Sequence, residues 1–141
     1  MEPADSQKYR DKILDDHPLL YRGRNKPITE CLMSWGFCCA DGWLPLIERL
    51  SDRIEAEIVR LRDEDGVAEK DLPEVMQVKE KFGGLRFFVR PQNDTIYAAI
   101  MAAREEADRT CEYCGAPGKL YEKGAMATCC NACAQQRGWE I

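Results

Sequence analysis

The sequence predicts an α+β fold in which a β-hairpin is packed by two main helices and followed by a small C-terminal cysteine knuckle. Three observations predict it: two apolar stripes with helical spacing, two adjacent segments of alternating polarity, and a tail rich in Cys and Gly. We divide the chain into an α+β core with an irregular N-terminal wrap, residues 1–108, and a knuckle, residues 109–141. The 141 residues suit one domain with a small appendage.

Two main helices follow from the spacing of apolar residues. The first is expected over residues 43–62, with Pro45 in its first turn, and the second over residues 94–108, with Asp94 as its N-cap. A shorter charged helix is expected from an N-cap at Ser6 to about residue 14 or 16. The first helix is the clearest because five apolar residues recur at three- and four-residue steps: Ile47, Leu50, Ile54, Ile58 and Leu61.

A β-hairpin is expected from strands over residues 75–81 and 85–90, joined by a turn at Gly83 and Gly84. In this register one face is mostly apolar and the other mostly cationic. The apolar face pairs Phe82 with Leu85, Glu80 with Phe87 and Val78 with Val89. The other face pairs Lys81 with Arg86, Lys79 with Phe88 and Gln77 with Arg90.

The second face of the hairpin is a candidate anion-binding or nucleic-acid-binding surface, which we call the cationic face. Neighbouring like charges are unfavourable, and a phosphate backbone, a nucleotide or an acidic protein surface would neutralise them. The alternative is that the cations extend into solvent or pair with acidic residues of the loop 63–71. The candidate residues are Lys79, Lys81, Arg86, Phe88 and Arg90.

Charge and composition exclude several classes of protein. With 20 Lys and Arg against 25 Asp and Glu, the net charge of −5 argues against a protein that coats nucleic acid through bulk charge. The apolar runs are far shorter than a membrane span, so no membrane partner is expected. No secretory leader is recognisable at the N-terminus, so we expect a reducing cytoplasm in which the eight cysteines are unpaired or bind metal.

Four cysteines have the spacing of a zinc site. Cys111 and Cys114 form one C-x2-C pair, and Cys130 and Cys133 form a second. Two such turns place four sulfurs around one tetrahedral ion, and four thiolates leave no open position for water. We therefore expect a zinc-ribbon-like knuckle that holds one structural Zn²⁺. Two alternatives remain: Cys129 replaces Cys130 as a ligand, or all four are ordinary buried thiols.

The remaining candidate groups have no recognisable catalytic spacing. Cys31, Cys38 and Cys39 are expected to be buried thiols, with a second metal or redox site, or chance exposure, as the alternatives. The single histidine, His17, is expected to be a surface or packing residue. No catalytic residue is assigned, although an enzyme that uses Asp41 or the Cys38–Cys39 pair is not excluded.

Several stretches together resemble a family of small proteins encoded in bacteriophage and prophage genomes, a family that has no assigned reaction. They are PLLYRGR (18–24), MSWGFCCADGW (33–43), QVKEKFGGLRFFV (77–89) and CEYCGAPG (111–118) with its distal C-x2-C. VKEKFGGLRF is the most specific of them. Family members usually read ECGDGW where this chain reads CCADGW, so Cys38 replaces an acidic residue and Ala40 a glycine.

The resemblance implies a phage or prophage accessory protein that acts in the bacterial host cytoplasm. Its expected function is to bind a host or phage macromolecule, most specifically as a protein inhibitor of host defence. The alternative is a nucleic-acid- or nucleotide-binding module that acts through the cationic face. One experiment distinguishes the two functions: replacing the cations of that face should abolish binding only if the second function is correct.

Overall fold

The computed structural model describes residues 2–122 and 126–139, which fold as mixed helix and strand. None of the helices in these ranges is both long and apolar enough to cross a membrane. Short 3-10 turns precede β1, α2 and β2. In chain order the helices and strands are α1 (Pro3–Asp16), β1 (Phe37–Cys38), α2 (Leu44–Asp63), β2 (Glu74–Lys81), β3 (Gly84–Arg90), α3 (Asp94–Ala107), β4 (Lys119–Tyr121), β5 (Ala127–Cys129) and α4 (Asn131–Gln136).

The expected hairpin is present, but it belongs to a three-stranded sheet in the order β1-β2-β3. β2 and β3 pair antiparallel, and β1 pairs parallel with β2, with Phe37 opposite Val78. β1 was not expected because it is two residues long and lies in a segment interrupted by Gly and Pro, where no alternation can be recognised. β4 and β5 form a separate antiparallel pair in the knuckle.

The predicted hairpin register is wrong by two residues. The turn is formed by Phe82 and Gly83, both with positive φ (52° and 85°), and Lys81 pairs with Gly84. Arg86 therefore lies opposite Lys79, and Phe88 opposite Gln77. A shift of two residues keeps every side chain on its predicted face, because side chains alternate with period two. Phe82 is the exception: it was expected on the apolar face and is 70 % exposed at the turn.

The helices agree with the expected apolar stripes and differ at their N-termini. α2 buries the predicted Ile47, Leu50, Ile54 and Ile58. In α3 the N-cap is Asn93, not Asp94, and the Asn93 side chain accepts a hydrogen bond from the Ile96 N–H at 2.9 Å. α1 begins at Pro3, because a proline in the first turn has no N–H to leave unpaired. The predicted N-cap at Ser6 is therefore wrong.

One apolar core joins α2, α3, the sheet and parts of the N-terminal wrap, and Trp43, Ile47 and Ile58 are fully buried in it. His17 packs into this core and is 2 % exposed. Its Nδ1 lies 2.6 Å from the Ile13 carbonyl oxygen, and its Nε2 lies 2.6 Å from an Asp52 carboxylate oxygen. These contacts are those of a packing residue that links the end of α1 to α2.

Arg10 of α1 fixes the segment that carries β1. Its guanidinium donates to the Phe37 and Cys39 carbonyl oxygens, both at 2.7 Å, and to the Asp41 carboxylate at 3.0 Å. The Ser6 hydroxyl also donates to Asp41, and together with Arg10 it lowers the pKa of that carboxyl. Asp41 is thus occupied by structural contacts, and the turn that follows β1 is held at a defined position against α1.

Candidate metal centre

The first pair of cysteines lies in a tight turn directly after α3. The Cys111 carbonyl accepts from the Gly115 N–H at 2.9 Å, and the Cys111 N–H donates to the Ala116 carbonyl at 2.7 Å. Gly115 has φ +83°, a conformation that a residue with a Cβ rarely adopts. The chain therefore reverses at Gly115, and Cys111 and Cys114 lie on the same side of the turn.

The second pair lies at the start of α4. Cys130 is the N-cap of this helix, and its sulfur accepts from the Cys133 N–H at 3.4 Å. The antiparallel pair β4–β5, with Lys119 opposite Cys129, brings this turn back beside the first one. Two turns that are far apart in sequence thus present their sulfurs to a common point.

The four predicted ligands, Cys111, Cys114, Cys130 and Cys133, lie together: their Sγ atoms are all within 4.8 Å of one another. The Cys114 and Cys130 sulfurs are 3.6 Å apart. In a tetrahedral zinc site with Zn–S bonds of about 2.3 Å, neighbouring sulfurs are about 3.8 Å apart. The donor set and its spacing therefore fit a tetrahedral ion that prefers sulfur, and these four side chains could hold one.

The geometry distinguishes Cys130 from Cys129. The Cys129 side chain is fully buried, lies outside the group of four, and donates to the Cys130 carbonyl at 3.3 Å. Burial raises the pKa of the Cys129 thiol to about 11. At Cys111, burial is outweighed by backbone N–H groups at Cys130, Cys114 and Tyr113, which hold its pKa at about 6. The cluster thus contains Cys130 and not Cys129.

Cationic and aromatic side chains border the cluster. The Arg137 guanidinium stacks 3.5 Å from the centre of the Tyr113 ring and donates to the Cys133 carbonyl at 3.2 Å. Trp139 packs edge-on to Tyr113, with ring centres 6.3 Å apart. A positive charge beside four thiolates reduces the net negative charge that they would carry with a divalent ion.

The knuckle is attached to the core at the turn before α2, a feature that sequence reasoning missed. Glu112, between the first two cysteines, is 6 % exposed, and its carboxylate accepts from the Ala40 N–H at 2.9 Å. Its backbone carbonyl accepts from the Gly42 N–H at 2.7 Å, and the Trp43 indole donates to the Thr110 carbonyl at 2.9 Å. Burial raises the pKa of Glu112.

Gly42 allows this close approach. A Cβ at this position would lie 2.6 Å or less from three backbone atoms, the Cys111 and Glu112 carbonyl oxygens and the Gly115 nitrogen. Ala40 has ordinary extended backbone, which an alanine adopts without strain. The contact of Ala40 with Glu112 spans 72 residues of the chain, so no local pattern in the sequence could have indicated it.

The other predicted site residues lie elsewhere. The candidate residues of the cationic face lie on β2 and β3, away from the two cysteine turns in the sequence: Lys79, Lys81, Arg86, Phe88 and Arg90. Arg86 stacks 5.1 Å from the Phe88 ring centre and donates to Gln77 at 3.1 Å. The ion pairs found among residues 2–122 and 126–139 include none of the four cations, so the proposed pairing with loop 63–71 is not seen there.

The other three cysteines do not form a second cluster within the described parts of the chain. Cys31 is buried, Cys39 is half-buried and Cys38 is exposed. Burial raises the pKa of Cys39 to about 12, so this thiol stays protonated at neutral pH. Cys31 agrees with the expectation of a buried thiol, whereas Cys38 does not, because it ends a two-residue strand and faces solvent.

Comparison of the chain with protein-family models, with curated proteins and with solved structures found no match in any of the three. The phage-family resemblance therefore stays a prediction from the sequence. The cysteine cluster and the surfaces around it are the features that bear on the chemistry of the chain.

We predict that the purified protein contains one metal ion per chain and that Cys114→Ser loses it. Removing one of four thiolates opens the coordination sphere and lowers the affinity. Elemental analysis and amide exchange of residues 110–139 measure the two effects. Cys38→Ser is the matched control, because this exposed thiol lies outside the cluster. A metal-free wild type with a fully protected knuckle would contradict the prediction.

We also predict that Gly42→Ala destabilises the protein by about 1–3 kcal/mol, the usual cost of forcing a methyl group into a filled space. Chemical denaturation measures the change in free energy of unfolding. Gly84→Ala is the control, since a Cβ there would meet its nearest atom at an ordinary 3.6 Å. Equal stabilities for the two variants would show that the close approach at Gly42 is unimportant.

Proposed function

We propose that the four cysteines hold one structural Zn²⁺. The support is the donor set: four sulfurs at tetrahedral spacing, which suits zinc and leaves no position for a substrate or a catalytic water. The knuckle itself buries few apolar side chains, among them Tyr121 and Ala134, too few to stabilise it without a metal ion. Zinc binding would contribute folding free energy to this segment.

We further propose that the chain is a phage- or prophage-encoded accessory protein that binds a host or phage protein in the bacterial cytoplasm. Its specific form would be inhibition of a host defence factor. The phage assignment is supported by the sequence resemblance and the binding role by the surface of the molecule. The two residues for which a catalytic role was considered do not favour it: Ser6 and Arg10 hold the Asp41 carboxylate, and burial raises the pKa of the Cys39 thiol to about 12.

The observation that carries the binding role is an apolar patch at the junction of hairpin and knuckle. Phe82 at the hairpin turn is 70 % exposed, and Leu120 of β4 is 43 % exposed. Both line one cavity of about 350 Å³ together with Gly83, whose carbonyl accepts from the Thr128 hydroxyl at 2.6 Å. Exposed large apolar side chains that are held in place by a rigid framework are typical of protein-binding surfaces. We call Phe82 and Leu120 the junction patch.

The second candidate is a nucleic-acid- or nucleotide-binding module. It is favoured by the cationic face, where Lys79 and Arg86 are neighbours across the strands and Arg86 stacks on Phe88. A cation beside an aromatic ring is the arrangement on which nucleic-acid bases stack. The net charge of −5 opposes binding to a polyanion, and for that reason we rank this function second.

For the first function we predict that the zinc-loaded protein captures a stoichiometric protein partner from lysates of phage-infected bacteria, as identified by mass spectrometry. Phe82→Asp combined with Leu120→Asp should reduce capture at least tenfold, because charge in the patch prevents its desolvation. Ile28→Asp is the control, a 50 % exposed apolar residue in the N-terminal wrap. Capture that the patch variant leaves unchanged would count against this function.

For the second function, fluorescence anisotropy with a labelled single-stranded oligonucleotide at low salt is the test. If the function is correct, replacement of Lys79, Lys81, Arg86 and Arg90 by Glu abolishes binding, since each lost phosphate contact removes counterion-release free energy. Exposed cations elsewhere, such as Lys8 and Arg53, supply the control substitutions. We expect no binding by the wild type at low salt, and tight, salt-sensitive binding would reverse our ranking.

A further inference from the structure

A groove of about 490 Å³ runs between β3 and α3. One wall is β3 from Gly84 to Phe88, and the other is the side of α3 that carries Tyr97, Met101 and Arg104. Tyr97 is 56 % exposed although it is a large aromatic side chain. The groove begins at Phe82, so it is continuous with the junction patch.

The wall formed by β3 is an open strand edge. In the sheet order β1-β2-β3, one edge of β3 pairs with β2 and the other has no strand beside it within the described chain. Because Lys81 and Gly84 close the hairpin, Leu85 and Phe87 direct their backbone N–H and C=O groups to the outer edge. Outside the β2–β3 ladder, no backbone hydrogen bond among the described residues involves either of them.

This edge has only part of the usual protection against pairing with another chain. Natural edge strands are commonly short, bulged, charged, interrupted by proline or covered by another element, and of these devices β3 has the charges, at Arg86 and Arg90. β3 has seven regular residues, and the irregularity in the ladder lies on β2, between Val75 and Gln77. β1, at the opposite edge of the sheet, is two residues long and is thereby protected. β3 is therefore the edge that can accept a strand.

The groove is positively charged. Lys81, Arg86 and Arg104 line it against a single acid, Asp108. Arg104 lies on the exposed side of α3, and its guanidinium donates to the Met101 sulfur at 3.8 Å. None of the three cations belongs to an ion pair found in the described ranges. In an acidic chain, such a local excess of cations selects an acidic ligand.

We propose that this groove binds an acidic, extended peptide segment of the partner protein, which adds as a strand to the outer edge of β3. The inference rests on the proposed protein-binding function and assigns it a site and a ligand class. Backbone hydrogen bonds to Leu85 and Phe87 supply affinity. The side of the peptide that continues the cationic face carries carboxylates, which meet Arg86, and its other side carries apolar side chains, which face Tyr97 and Met101 of α3. Arg104, which also lines the groove, adds to its positive charge.

A peptide fits this edge better than a nucleic acid does. The outer edge offers carbonyl oxygens as well as N–H groups, so its occupant must donate and accept in alternation. A peptide backbone does both at the same spacing, whereas a phosphate diester offers acceptors and leaves the carbonyls unpaired. The cations alone would suit either ligand; the strand edge decides between them.

The test uses an eight-residue capped peptide of alternating Glu and Val, titrated into the metal-loaded full-length protein. We expect saturable binding, with the Leu85 and Phe87 amides gaining protection from hydrogen exchange. A Lys–Val peptide of the same length and a Glu–Val peptide N-methylated at every second residue should each bind at least tenfold more weakly. The first peptide tests charge complementarity, and the second tests strand addition.

Variants of the protein locate the site. Arg86→Glu combined with Arg104→Glu should weaken binding at least tenfold, and the control Lys8→Glu with Arg53→Glu less than twofold. Arg104→Glu alone, on the exposed side of α3, serves if the double variant does not fold. Three results would each overturn the inference. The Glu–Val peptide does not bind, it binds no more tightly than its N-methylated form, or a single-stranded oligonucleotide binds the same groove more tightly. Partner capture that still depends on the junction patch would then leave the proposed function standing.

Discussion

Convergence of four sulfurs at one point is the constraint on which the C-terminal knuckle depends. β4, β5 and α4 are each six residues or shorter, and the buried apolar cluster around them includes two of the ligating cysteines themselves. Segments this short do not bury enough apolar surface to offset the conformational entropy lost on folding. In our proposal, an ion bound by Cys111, Cys114, Cys130 and Cys133 supplies the missing free energy.

The knuckle and the core depend on each other through backbone contacts. Glu112 lies between two ligands and accepts hydrogen bonds from the turn that precedes α2, and the absence of a side chain at Gly42 allows that approach. The same turn is held to α1 by Arg10. At the other side of the knuckle, Thr128 donates to the hairpin turn at Gly83. These contacts of the knuckle with the core therefore position Leu120 relative to Phe82, and so form the junction patch.

Much of this structure can be predicted from the sequence, and the differences have physical causes. The apolar stripe of α2 and the two C-x2-C pairs are local patterns. The sequence therefore predicted both the buried face of this helix and the four cysteines that lie together. The hairpin turn was misplaced because glycine tolerates positive φ best, which favoured a turn at Gly83 and Gly84. In the structure Phe82 takes the first turn position with φ 52°, and Gly83 takes the second. Asn93 and Asp94 are both good N-caps, and sequence cannot rank them. Contacts such as Glu112 with Ala40 span 72 residues, and no local pattern encodes them.

The junction patch continues into the cationic groove, one wall of which is the outer edge of β3, and in our proposal this surface binds a protein ligand. X-ray absorption spectroscopy at the zinc edge of the purified full-length protein tests the central claim most directly. Four sulfur neighbours at about 2.3 Å, with no nitrogen or oxygen in the first shell, is the predicted result. A zinc ion with two or fewer sulfurs, or with a bound water, would contradict a closed four-thiolate site and the rigid surface that depends on it.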